Sequence, residues 1–256
     1  MLLLLACTHG PPPPTTLRLG ADTVIAQGDG LELHQFQWQT EQGTGRAWAA
    51  RLNRESRLEV VPSATVQPLA ALVGGQLATR AAINGGFYRE GPMGLVVSAG
   101  VEQHPRTPDG GSGIVVYNPM PITILHRDAY ATGAQQALQS VDRLVDGGHS
   151  LVAPRAEAHR DARAAIVCAA DAVWLVTAFA DASIQYDPTG IQLVDTIGQG
   201  LTLSEFADLL IGATRAQQAL NLDGAVSTQM MVSLPAGRWE LRGERGTINA
   251  LVLRNP

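Results

Sequence analysis

Apolar and polar residues alternate along much of this chain with the two-residue period of a strand, and with a helical period in only two places. Residues 17–27 and 31–39 read as strands around a turn at Gly28, Asp29 and Gly30. Residues 47–52 and 57–61 alternate less cleanly and suit a second hairpin. Short β-rich runs follow at 95–97, 114–116 and 121–126, with a glycine-rich segment at 109–113. Residues 163–168 and 173–179 predict a hairpin across 169–172. A helix is expected over 67–77, starting near Pro68, since proline is tolerated in a first turn; Gly74 and Gly75 weaken its end. The clearest helix starts after Thr202. Thr202 and Glu205 have the spacing of a capping box, Leu203, Phe206, Leu209 and Leu210 line one face, and Gly212 suggests the end. Strands and helices show no βαβ alternation and no internal repeat. The expected fold class is therefore α+β, a mixed, mostly antiparallel β-sheet with a few packed helices.

Two apolar runs stop in the same way, at a polar side chain followed by glycine. In ALNLDGAVST, residues 219–228, the run ends at Asp223, and Gly224, Ser227 and Thr228 follow. A carboxylate at a strand end, beside a turn carrying free N–H groups and hydroxyls, is a polar site on a rigid base. In AAINGGFY, residues 81–88, the run ends at Asn84, followed by Gly85, Gly86 and two aromatics. The glycines admit close approach of backbone or ligand, and the aromatics either anchor the loop or line a sugar-binding surface. Each run alone reads as an ordinary turn; the pair suggests one shared site. Asp146, before Gly147 and after the apolar Leu144 and Val145, repeats the strand-to-turn signal and is the second candidate carboxylate.

Length and composition narrow the function. The chain has 256 residues and a net charge of -5, which gives no support for nucleic-acid binding by bulk electrostatics. All 18 basic residues are arginine; codon bias accounts for that, although arginine also suits forked recognition of phosphate. Of two cysteines, Cys168 lies in an apolar run and reads as a buried thiol, so no disulfide framework exists. Cys7 closes MLLLLAC, which resembles the tail of a bacterial lipoprotein signal, and the proline-rich stretch after it suits an extended tether. We therefore expect a leader and tether over residues 1–16, lipidated at Cys7, and one domain over 17–256. This places the protein in a bacterial cell envelope, held to the membrane by its lipid. The histidines show no metal-ligand spacing, so neither metal nor other cofactor is expected.

An ordered set of motifs resembles the phosphodiester glycosidase family. It comprises residues 84–88, then Pro92 to Gly94, 139–147, the arginine-led run at 163–166, the helix at 203–211, 219–228, and a closing strand at 249–253. The resemblance spans roughly residues 75–253. Relatives often carry LDGGGSS, where this chain has LDGAVST, and Ser-Gly-Pro, where it has Ser140, Val141 and Asp142. The resemblance implies an extracytoplasmic hydrolase that cleaves glycosyl phosphodiesters or related surface glycans at the anomeric carbon. It makes Asp223 the nucleophile, base or cation stabiliser. Arg163 becomes the leading phosphate ligand, Arg80 a weaker one, and Ser140 a match to the family's serine. Gly224, Ser227 and Thr228 would complete an anion cradle, and Asn84 would either bond a sugar hydroxyl or position Asp223. The alternative is a glycan-binding envelope lipoprotein on the same fold that does not cleave.

Overall fold

The computed structural model describes residues 17–74, 79–118, 121–155, 158–187 and 190–256. Cys7 and the tether lie outside the described residues. Three sheets make up the molecule. The first has eight strands in the order β1 (Arg18–Gly28), β2 (Leu31–Thr40), β3 (Gly43–Asn53), β14 (Ala172–Ala180), β13 (Arg163–Cys168), β17 (Gln218–Asn221), β11 (Arg143–Asp146) and β12 (His149–Ser150). The second has seven: β15 (Ile184–Asp187), β16 (Gly190–Leu193), β19 (Gly237–Arg242), β18 (Met230–Leu234), β5 (Ala81–Asn84), β20 (Thr247–Arg254) and β4 (Arg57–Gln67). The third has five: β7 (Val101–His104), β6 (Val96–Ser98), β10 (Gln136–Ser140), β8 (Gly113–Tyr117) and β9 (Thr123–His126). Among the described residues the pairings between these strands are antiparallel, apart from β16 with β19.

The sheets share one core. Leu31, Leu33 and Leu52 of the first sheet, Ile83, Val232 and Leu251 of the second, and Val115 and Leu138 of the third meet in a single buried cluster. β13 and β14 are buried along their whole length because both faces are covered. Ala164 and Ile166 face the shared core, while Ala165 and Val167 face the cluster built on the longer helix. A strand covered on both sides reads as a continuous apolar run instead of an alternating one, as RAAIVC does.

The α+β expectation is corrected here: the fold is β-rich. The described residues contain two α-helices, α1 (Leu69–Val73) and α2 (Leu203–Thr214), of 5 and 12 residues. Each covers the outer face of one sheet and does not form a layer. α1 lays Leu69 and Val73 on Ala82, Met231 and Val252. α2 lays Phe206, Leu209 and Leu210 on the outer face of the first sheet. Burying each such side chain contributes about 1.5–3 kcal/mol. The capping box of α2 is formed, with Thr202 Oγ1 accepting from the Glu205 N–H and Glu205 Oε2 accepting from the Thr202 N–H at 2.9 Å. Its end is not at Gly212 but two residues later, where Arg215 takes a left-handed conformation. The expected hairpin over 47–61 is not made either. β3 pairs with β2 and β14, whereas β4 pairs with β20 in the other sheet, so the short link between them is a corner.

Candidate functional site

The two polar–glycine strand ends meet at the seam between the first and second sheets. Asn84 ends β5, and Asp223 lies just past β17. Asn84 is fully buried. Its Nδ2 donates to the Asp223 carbonyl at 2.6 Å, and its Oδ1 accepts from the Gln229 N–H at 2.9 Å. The Asp223 N–H donates to the Gly85 carbonyl at 2.9 Å. A third segment locks the pair: Gly85 and Gly86 donate their N–H groups to the backbone carbonyl and the Oδ1 of Asn249, at 2.8 and 2.7 Å. A Cβ on Gly85 would collide with the Asn249 side chain, and one on Gly86 would sit 2.6 Å from the Gln139 carbonyl oxygen. Close approach is thus the reason for both glycines. Asn84 is buried, and its side-chain amide is committed to the Asp223 carbonyl and the Gln229 N–H.

The Asp223 side chain is partly buried in a polar nest. Its carboxyl pKa is raised to about 6, chiefly by burial. Hydrogen bonds from the Ser227 hydroxyl and the Gly224 N–H, and the charge of Arg245, act in the other direction. Ser227 also bonds Tyr88, whose hydroxyl donates to the Gly246 carbonyl at 2.8 Å. Burial raises the Tyr88 pKa; the Ser227 bond opposes this, the Asp223 charge adds to it, and the Arg245 charge offsets it. The turn after Asp223 is strained. Ala225 holds a φ of 50°, where relatives with LDGGGSS often have glycine, and its N–H is anchored on the Ala162 carbonyl at 2.7 Å. A non-glycine residue there costs about 1–3 kcal/mol, and such costs gather at functional sites. Gly224 and Ser227 therefore hold the carboxylate itself. Thr228 is fully buried, and its hydroxyl has no partner among the described residues.

The remaining candidates lie elsewhere. Asp146 pairs with Gln218, the first residue of β17, and so sits at the opposite end of that strand from Asp223. Five residues of extended chain put roughly 17 Å between them. Its half-buried carboxylate forms an ion pair with the largely buried Arg143 side chain at 2.8 Å. Arg80 precedes β5 at the end away from Asn84 and donates to the carbonyls of Gly28 and Asp29. Ser140 is fully buried at the end of β10, and its hydroxyl has no partner among the described residues.

Arg163 starts β13, and its backbone runs beside Gly224, but its side chain is committed elsewhere. Nε donates to the Leu201 carbonyl at 2.8 Å and Nη2 to the His159 carbonyl at 2.7 Å, with the Asp161 carboxylate 3.5 Å away. It borders a cavity of about 750 Å³ that is also lined by Asp142, Leu151, Arg155 and Ser204. Burial lowers the Arg163 pKa and raises that of Asp142. Asp223 is not among the residues lining this cavity. Sequence reasoning missed the parts played by Tyr88, Arg245 and Asn249. Tyr88 lay inside a quoted motif, but the RGERG segment around Arg245 has no periodic signal to mark it.

The sequence profile of the phosphodiester glycosidase family matches residues 78–254. The chain belongs to that family. The match takes in Asn84, Asp223, Arg245 and Asn249, the residues that converge at the seam. A solved phosphodiester glycosidase has the same fold: the zebrafish N-acetylglucosamine-1-phosphodiester alpha-N-acetylglucosaminidase catalytic domain, auto-inhibited by its pro-peptide. It is 14% identical, with a TM-score of 0.66 over 94% of this chain and 88% of that one. A hypothetical protein from Synechocystis is 16% identical, with a TM-score of 0.61 over 93% of this chain and 64% of that one. No curated protein matches significantly. Family membership supports a glycosidase-type hydrolase.

Proposed function

We propose that the protein hydrolyses glycosyl phosphodiesters, breaking the bond between the anomeric carbon and the phosphate oxygen, with Asp223 as its central carboxylate. The observation that carries this reading is the Asp223 nest, in which a partly buried carboxyl with a pKa near 6 is braced by Ser227 and Gly224 beside Tyr88. When the bond breaks, the electron pair leaves with the phosphate and positive charge develops on the sugar. An ionised carboxylate at that carbon stabilises the charge, by electrostatics or by a transient bond, and water completes the reaction. Glycosidases commonly pair two carboxylates, the second protonating the leaving group. A phosphate monoester is a weak base and leaves without much acid help, consistent with a site where Asp146 takes no part. The substrate would be a surface glycan or sugar phosphate met outside the cytoplasm, and the MLLLLAC start supports anchoring through Cys7.

The test is a panel of sugar 1-phosphodiesters, including N-acetylglucosamine esters, offered to the wild type and to Asp223→Asn. We expect release of free sugar by the wild type, and a loss of at least about 100-fold in the folded variant. Glycan binding without turnover by the wild type would instead favour the non-catalytic module.

A further inference from the structure

A phosphodiester carries a negative charge that Asp223, once ionised, repels. A cation must offset that repulsion, and it must have donors to spare. Arg163 is poorly suited. Its residue is 9% exposed, and two of its donor nitrogens already serve the carbonyls of Leu201 and His159. Arg245 differs on every count. It is exposed, and no hydrogen bond or ion pair of its guanidinium is found among the described residues. Its main chain is nevertheless fixed. The Arg245 N–H donates to the Val226 carbonyl at 2.8 Å, and the Arg245 carbonyl accepts from Gln229 Nε2 at 2.9 Å. The next carbonyl, of Gly246, receives the Tyr88 hydroxyl at 2.8 Å. Gly243 fits so closely against the turn after Asp223 that a Cβ there would lie 2.6 Å from the Val226 carbonyl oxygen. A rigid turn thus carries an uncommitted guanidinium to the rim of the Asp223 nest, where its charge reaches both Asp223 and Tyr88.

We propose that Arg245 is the phosphate-recognising residue of this site and sets its preference for anionic phosphodiesters over neutral glycosides. The inference rests on the hydrolase reading above. The forked donors of arginine match two phosphate oxygens. Charge on those oxygens grows as the C–O bond breaks, so the contact tightens toward the transition state and acts on kcat as well as KM.

The experiment compares the wild type, Arg245→Gln and Arg245→Lys on two substrates of one sugar, benzyl N-acetylglucosamine 1-phosphodiester and 4-nitrophenyl N-acetylglucosaminide. Calorimetric titration with N-acetylglucosamine 1-phosphate is run on the same proteins and on Asp223→Asn. We expect Arg245→Gln to lower kcat/KM for the phosphodiester by about 100-fold or more while changing the neutral glycoside by no more than about threefold. Sugar-phosphate binding should weaken at least about tenfold, and Arg245→Lys should fall between. Equal losses on both substrates, or unchanged binding, would overturn the assignment. If the wild type cleaves neither substrate, the hydrolase reading fails and titration decides alone: weakened binding in Arg245→Gln supports the assignment, whereas undiminished or absent wild-type binding sinks it.

Discussion

Replacing Asp223 with asparagine should stabilise the protein at neutral pH while removing its activity. In the folded chain the carboxyl pKa is about 6, against an ordinary 3.8. Below 3.8 both folded and unfolded chains hold the proton, and the group has no effect on stability. Between the two values the unfolded chain loses its proton first, so stability falls as pH rises. Above about 6 the whole cost of the buried charge is present. At roughly 1.4 kcal/mol per unit, that cost is about 3 kcal/mol. Asparagine keeps an acceptor for Ser227 and the Gly224 N–H but loses the strength that charge lends those bonds. The net gain should be about 1–3 kcal/mol, or about 3–9 °C in melting temperature for a domain of this size. Thermal melts of both proteins near pH 7.5 and near pH 4 measure it. A variant that melts no later than the wild type at neutral pH would refute the reasoning. So would a gain equally large in acid, because the effect must vanish once the aspartate is protonated.

Asn84→Ala should destabilise by about 2–4 kcal/mol in denaturant titration, since it strips partners from the buried Asp223 carbonyl and Gln229 N–H, and should lower kcat. Gly85→Ala should give little folded protein on expression, because the new methyl meets Asn249. Arg163→Met should cost about 2 kcal/mol of stability through the orphaned Leu201 and His159 carbonyls, with KM for a phosphodiester unchanged in steady-state assays. Asp146→Ala removes a half-buried ion pair at the far end of β17; it should lower stability by about 1–2 kcal/mol in thermal melts and leave kcat/KM within about twofold of wild type.

The meeting of the Asn84 and Asp223 segments was legible because each half of it is local. A strand, a polar side chain and glycine stand in consecutive order at both Asn84 and Asp223, and each half can be read without knowing what it meets. Arg245 and Asn249 carry no such mark. Their parts come from a fold that returns residue 249 to Gly86, 163 positions earlier. The bonds of Arg163 were hidden for a related reason: an arginine opening a strand looks the same in sequence whether its fork is free or, as here, donates to main-chain carbonyls. The fold class failed on the helices. The capping box at Thr202 correctly announced α2, yet a cap says nothing of how much of the molecule is helical. The 47–61 hairpin failed because nearness along the chain is a poor guide where a corner feeds two sheets.

β20 lies inside its sheet, between β5 and β4, and also supplies the asparagine that clasps the glycines of the Asn84 loop. A growing polypeptide therefore cannot close the seam between Asn84 and Asp223 until residue 249 has left the ribosome. A premature stop ahead of Thr247 would remove an interior strand together with the clasp on the Asn84 loop, and its product would be a client for quality-control proteases instead of a shorter folded domain.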